Sequence, residues 1–381
     1  MLLLIFFPSS TARATGLSNP RFEDYMTGHY AFSNPFFSKF TVFYVVLAAC
    51  LAFIVNTLRV YFSVEDWKKV LCNLAKICKA LLLIICLEFI IKYLLHSQLY
   101  SDFIVMAFGR GTSTYLNLEN RGIFVMMQGL TREGSHFAYS MMLMVMLLYT
   151  AGIIENRKNN IWIFISIMAM ILSGALMMLI CVSTLSGYWL LMMFARNENK
   201  TKKRIAIVIM YTALLLLVAV FAVNRLMNSS GYIGTRFMDA VSVLLGVGNK
   251  NVAYYASLSH VTSNQSRLFS LYYAFTEWMK RPLFGIGIGT TFAYSSTLLT
   301  LAEAGIVTVI LLLRFYINVG KRYGVKTKLA LIVLMLWIGC NVFSGIQPRI
   351  IVAGDIILIM GCYIVLFGID ESNNQSTVLC N

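Results

Sequence analysis

The chain has 381 residues, 59% of them hydrophobic and only 12% charged, with a mean hydropathy of +0.75 and a formal net charge of +15. A soluble domain cannot hide that much apolar surface, whereas a bilayer accepts it in stretches of about 17–25 residues. The basic charge does not read as a nucleic-acid footprint either, because most of it sits in short loops between apolar stretches, where lysine and arginine mark the cytoplasmic side of a membrane protein.

In chain order, the opening MLLLIFF ends at Pro8 and is too short to span. It has neither the basic leader nor the cleavage site of a signal peptide. Because the first full span is expected to run from outside to inside, a further span is expected ahead of Met1. Apolar stretches then follow at 40–58, 74–95, 137–154, 161–178, 180–195, 205–223, 297–316, 329–345 and 350–369. The 161–195 run fits two short helices joined near Ser183 to Gly187, with one tilted helix as the alternative. Backbone groups in lipid must bond internally, and no alternating pattern is present, so the spans are expected to be helices. The predicted fold is an all-α, polytopic integral membrane protein. It forms one domain over 1–381, with about nine or ten transmembrane helices.

The loops set the orientation. Four short ones are densely basic: 59–79, 155–160, 196–204 and 314–328 hold 17 of the 31 lysines and arginines. The alternate segments are longer and sparser in charge. Two of them, about 96–136 and 224–296, are predicted as long periplasmic loops. Cysteine agrees with this sidedness. Cys72, Cys78 and Cys380 fall on the inner side, and Cys50, Cys86, Cys181, Cys340 and Cys362 fall within spans. None lies in the outer loops, where a lone thiol meets oxidising conditions. No CxxC or Cys/His metal spacing occurs, and neither a cofactor nor a metal is expected.

Long structured loops usually carry function, so the candidate chemistry is expected outside. The first loop holds Arg110 and Arg121, then Arg132, Glu133 and His136 in TREGSHFAY just ahead of a span. The second holds Arg236, Arg267 and Arg281. Arginine grips phosphate oxygens in a bidentate fork, although it also snorkels to lipid headgroups. Glu133 and His136, at i and i+3, share a face if the helix starts that early. Either is a candidate general base, with helix capping as the structural alternative. Residues 264–280 pattern as an amphipathic helix. Leu268, Leu271, Tyr272, Phe275, Trp278 and Met279 lie on the greasy side. Arg267, Ser270, Ala274, Glu277 and Arg281 lie on the side expected to face an aqueous cavity.

Charges inside spans are costly. Glu88 and Lys92 stand four apart, in the favourable order for a helical ion pair, and are expected to pair structurally. Asp355 is placed close to Arg349. Glu303 falls in RPLFGIGIGTTFAYSSTLLTLAEAGIVTVILLL, where Pro282 breaks an incoming helix and Gly285, Gly287 and Gly289 permit close backbone approach. No Gly-Lys-Ser/Thr follows, so it is not a nucleotide loop.

As a whole string, that stretch resembles the signature of the O-antigen polymerase and ligase superfamily. There, Pro-Leu-Phe-Gly-x-Gly-x-Gly leads into a span with Leu-x-Glu-x-Gly, matched here by Leu301, Glu303 and Gly305. GLTREGSHFAY resembles the family's Glu-Pro-Ser segment, with Gly134 where proline is common. STLSGYWLL resembles its Thr-x-Ser-Arg/Gly turn, here Thr184, Ser186 and Gly187. Ligases of the superfamily carry a catalytic His-Asn pair about nine residues before the glutamate. Tyr294 and Ser295 stand there instead, and a phenol with a pKa near 10 is a poor base at neutral pH. That departure favours polymerase over ligase.

The resemblance implies a membrane glycosyltransferase of the bacterial inner membrane. It would polymerise oligosaccharide repeat units carried on undecaprenyl pyrophosphate at the periplasmic face. Its implied partners are that lipid-linked oligosaccharide, inner-membrane lipid and a chain-length regulator; nucleic acid is not among them. Arg121, Arg132 and Arg267 are the first candidates for the pyrophosphate, and Glu133, with His136, for catalysis. Arg110, Arg236, Arg281, Tyr294 and Glu303 are further substrate-binding candidates. The alternatives are an O-antigen ligase acting on lipid A-core, a transporter or flippase for the same lipid-linked sugars, and a membrane scaffold.

Overall fold

The computed structural model describes residues 39–108, 120–195 and 271–368, less short gaps, the longest at 288–292. Its elements are α1 (Lys39–Tyr61), α2 (Val64–Phe89) with a π-helical turn at Ile90–Leu94, and α3 (Leu99–Phe108). Next come β1 (Asn120–Arg121) and β2 (Phe124–Val125), followed by α4 (Gly134–Ile154), α5 (Asn160–Leu172) and α6 (Met177–Ala195). Last are α7 (Ser296–Arg322), α8 (Thr327–Val342), a 3-10 turn at Ile350–Val352 and α9 (Ile356–Phe367). The fold is helical, as the sequence predicts. The only strands among the described residues are the antiparallel pair β1–β2, with Asn120 opposite Val125 and Arg121 opposite Phe124.

Among the described residues two helices, α4 and α7, are long and apolar enough to cross a membrane; α5, α8, α9 and parts of α1 and α6 are shorter apolar helices. The stretch at 205–223 lies outside the described residues. The run from 161 to 195 does form two helices, but they part at Ser173, not near Ser183 to Gly187. The Ser173 hydroxyl donates to the Met170 carbonyl (2.7 Å) and ends the helix. The hydroxyls of Ser183, Thr184 and Ser186 instead donate to carbonyls one turn back, at 2.8–2.9 Å. The STLSG segment therefore stays helical and is not a turn. Within the first long loop, α3 and the short ladder replace an open connection.

Contacts divide the chain into two compact units. One comprises 1–62, 239–360 and 368–381, and so holds α1, α7, α8 and the beginning of α9. The other comprises 63–238 and 361–367, with α2 to α6 and the end of α9. In the second unit α2 opens on a capping box. The Ser63 hydroxyl accepts the Asp66 N–H, and the Asp66 carboxylate accepts the Ser63 N–H, satisfying two otherwise orphaned donors. Deeper in, Lys92 and Glu88 form the expected ion pair at 3.1 Å, both inaccessible to solvent. Glu88 also accepts the Gly129 N–H at 2.8 Å. Lys92 lies within the π-helical turn and Glu88 just ahead of it; such turns are frequent at functional sites.

The first unit carries apolar side chains on its surface and polar ones within its core. Its α1 carries no charge between Lys39 and Arg59. Ala48, Leu51 and Val55 form a narrow buried stripe, while Val46, Leu47, Phe53 and Ile54 are exposed. The buried set of the same unit includes Ser295, Ser296, Thr297, Thr300, Glu303, Thr308, Asn341, Ser344 and Arg349.

Candidate functional site

The site is built on a broken helix. Within α7, Gly305 takes φ +73° and ψ 173°, which divides the helix into a half ending near Ala304 and a half beginning at Ile306. A break exposes backbone donors and acceptors that an apolar interior must satisfy. The proline–glycine segment does this. The Ile306 N–H donates to the Pro282 carbonyl (2.9 Å) and the Val307 N–H to the Leu283 carbonyl (3.2 Å). The Glu303 carbonyl, which would have bonded Val307 in an unbroken helix, accepts the Gly287 N–H at 2.8 Å. Pro282 also accepts the Trp278 indole N–H at 3.0 Å.

That docking needs glycine on both sides. Gly285 has φ +70°, and a Cβ there would lie 2.4 Å from the Glu303 carbonyl carbon. A Cβ on Gly305 would lie 2.1 Å from the Leu283 oxygen. The Pro-Leu-Phe-Gly string and the Leu-x-Glu-x-Gly string are thus two halves of one backbone contact.

Directly at the break, Glu303 is buried and paired with Arg349. Arg349 Nη2 donates to Glu303 Oε1 at 2.7 Å, and Nε donates to Oε2. Arginine was expected beside Asp355. Asp355 accepts the Trp337 indole N–H at 3.1 Å, and Glu303 takes the Nε–Nη2 edge of the guanidinium fork. A polar seam holds the arginine-bearing segment in place. Ile350 N–H donates to Thr300 Oγ1 (3.1 Å), and the Ser296 N–H and hydroxyl both donate to the Ser344 carbonyl (2.9 and 3.0 Å). The Thr297 hydroxyl donates to Ile338 (2.9 Å). Ser295 caps α7 by accepting the Leu298 N–H at 3.0 Å.

The expected amphipathic segment is described at Leu271 and over 274–279, where it is helical. Phe275 and Met279 are exposed, as are Leu283 and Phe284 after it, so the greasy side does face outward. On the opposite side, Ala274 packs with Ala293, Leu299 and Ala302, and Glu277 is buried; Arg267 and Ser270 lie outside the described residues. The small alanine permits that approach. Trp278, assigned to the greasy side, packs against the same cluster.

Of the remaining candidates, Tyr294 is half-buried beside the α7 cap and Arg281 is half-buried at the start of the docked loop, its carbonyl accepting the Gly285 N–H at 2.9 Å. His136 lies in the first turn of α4, where its carbonyl accepts the Ser140 hydroxyl, and Arg121 contributes its backbone to β1; both belong to the other unit. Arg110, Arg132, Glu133, Arg236 and Arg267 lie outside the described residues.

Arg349 was missed as a site residue, yet the sequence carried a signal. Glu303 is the sole acidic residue between Glu277 and Asp355, and Arg349 the sole basic one between Lys328 and the carboxyl-terminal residue. Lone opposite charges in apolar surroundings are expected to pair. No group of three or more potential metal ligands occurs among the described residues. Compared with protein-family models, curated proteins and solved structures, the chain finds no match.

Proposed function

We propose that this chain is a multi-pass glycosyltransferase of a bacterial inner membrane that extends a surface polysaccharide from undecaprenyl-pyrophosphate-linked repeat units. Membrane residence is supported by the exposed Val46, Leu47, Phe53 and Ile54 on α1 and by an interior that also holds Glu303, Arg349 and a hydroxyl seam. Lipid tolerates that surface and water does not.

The observation that carries the functional reading is the Glu303–Arg349 pair at the break of α7, beneath the Gly285 loop. Breaking a helix and burying a charge pair are both costly, and such features concentrate where a protein works. The two strings that resemble the superfamily signature are the ones that build this feature. In the proposed reaction a non-reducing-end hydroxyl of one lipid-linked unit attacks the anomeric carbon of a growing chain. A C–O bond forms there as the glycosyl–phosphate bond breaks. The bond's electron pair leaves with undecaprenyl pyrophosphate, and the hydroxyl proton passes to a carboxylate, with Glu133 as its candidate. Arg121, Arg132 and Arg267 bind the pyrophosphate, each charge-assisted hydrogen bond worth about 1.5–3 kcal/mol. Glu303 and Arg349 hold the interrupted helix beside the loop docked on it.

A transporter of the same lipid-linked sugars is the second reading, favoured by one observation: transporters place substrate groups at interrupted helices, and α7 is interrupted at Gly305. Gel analysis of surface lipopolysaccharide from a deletion strain separates the readings. Core plus a single repeat supports the polymerase. Bare core with polymer stranded on carrier points to a ligase, and bare core without outward polymer to a transporter. Either of the last two outcomes overturns the proposal.

A further inference from the structure

We infer that α3 is an interfacial helix, seated in the lipid leaflet where α2 ends, with Leu99, Phe103 and Met106 set among acyl chains. The inference rests on the membrane reading above. With ten residues, α3 is about 15 Å long and too short to span. Leu99, Phe103 and Met106, spaced i, i+4 and i+7, form one stripe with exposures of 68%, 54% and 77%. Every residue from Phe103 to Phe108 is apolar. To one side of the stripe Tyr100 is buried, its ring centroid 5.7 Å from Lys92 Nζ. That contact holds α3 against the π-helical turn and leaves the stripe uncovered.

The stripe continues a surface that α2 begins. Leu83, Leu87, Ile90 and Leu94 are exposed at i, i+4, i+7 and i+11, and lead through the exposed Leu95 to Leu99. The chain turns between them at His96, with φ +47°, and stays bonded as it does so. The Leu95 N–H donates to the Ile90 carbonyl and the Ser97 N–H to the Ile91 carbonyl, both at 3.0 Å. The Leu99 N–H donates to the Ser97 hydroxyl at 3.2 Å and so opens α3. A corner closed in this way suits surroundings in which no water bonds the backbone.

Length sets the depth and makes lipid the occupant. Lys79 is the last charged residue of α2 before the buried Glu88–Lys92 pair. From Ala80 to Leu95 the helix rises about 24 Å, against a hydrocarbon core about 30 Å thick. It therefore stops about 6 Å short of the far boundary, within the depth of about 5–10 Å to which an interfacial helix sets its apolar face. Acyl chains, not a second protein surface, lie against side chains at that level. Asp102, exposed in the first turn of α3, sits at the positive end of the helix, where a carboxylate is favourable.

The test places p-benzoylphenylalanine by turns at Phe103, Met106, Leu83 and Lys158 of the full-length protein, reconstituted in phosphatidylcholine liposomes. Products of irradiation are identified by mass spectrometry. Leu83, exposed on α2, reports the lipid yield of a spanning face, and Lys158, exposed between α4 and α5, reports water. Phospholipid adducts at Phe103 and Met106 should approach the yield at Leu83 and exceed that at Lys158 several-fold, in protein that elutes as the same monodisperse species as wild type. Yields no higher than at Lys158 overturn the inference. So do adducts between two copies of the chain, which give the stripe to a protein partner. Lipid at Leu83 but not at Phe103 or Met106 defeats the inference alone, whereas no lipid at Leu83 defeats the membrane reading with it.

Discussion

Glu303 and Arg349, 46 residues apart, meet in a two-pronged contact along the Nε–Nη2 edge of one guanidinium at the point where α7 breaks. A buried pair of this kind gains little over a well-packed apolar pair, but removing one partner strands the other charge, at about 3–5 kcal/mol. Glu303→Gln and Arg349→Gln are each expected to lower stability on that scale in detergent thermal unfolding. The double variant should lose less than the sum. Arg349→Lys keeps the charge but not the fork, and should leave a folded protein with strongly reduced chain extension. Additive losses in the double variant would show that the pair is not coupled.

The backbone contact beneath it makes a sharper steric test. Gly285→Ala and Gly305→Ala each place a Cβ within 2.5 Å of opposing backbone at positive φ, and each is expected to cost well over about 1 kcal/mol. Gly339→Ala in α8 meets nothing within 4 Å and should be neutral or stabilising by up to about 1 kcal/mol, the helix-propensity gain. Expression and melting temperature of the three variants rank the effects.

Glu88→Gln separates structure from function in the other unit. It leaves Lys92 buried beside a neutral amide and weakens the acceptor of the Gly129 N–H. A stability loss of about 3–5 kcal/mol is expected, with polysaccharide chain length unchanged per folded molecule. A normal melting temperature with altered chain length would assign the pair a working role.

These positions also show what the sequence made legible. Helix existence followed from apolar length, and α1, α4, α7 and α8 fall where the hydropathy placed them. Glu88 and Lys92 pair as their i, i+4 spacing predicts, because both ends lie on one helix. Non-local relations were not legible in the same way. The glycine at 285 announced close approach but not to what, since it could have served ordinary helix packing, and Gly305 stood only as a residue of the resembled motif. Arg349 was read only against its sequence neighbour Asp355, and its pairing with Glu303, 46 residues away, was not foreseen. The Ser173 break was missed because a serine can equally bond one turn back within a helix, as Ser183 and Ser186 do.

The α2 cap adds a pH dependence. Backbone and side-chain hydrogen bonds from Ser63 hold the Asp66 carboxyl below its ordinary range. A depressed folded value contributes stability above the unfolded pKa, near 3.9, and that contribution is lost as pH falls through the folded value. Asp66→Asn should therefore be less stable than wild type at neutral pH, with the gap closing under acid conditions. A pH-independent gap in unfolding experiments between pH 7 and about pH 3 would contradict the cap as drawn.

The central claim is that this protein joins lipid-linked repeat units, and reconstitution tests it most directly. Purified wild-type protein in liposomes, supplied with an undecaprenyl-pyrophosphate-linked repeat unit and no nucleotide sugar, should yield a ladder of longer lipid-linked glycans. Free undecaprenyl pyrophosphate should be released in step, and Arg349→Lys should give little of either. An unchanged single repeat after incubation with folded, correctly oriented wild-type protein would contradict the account.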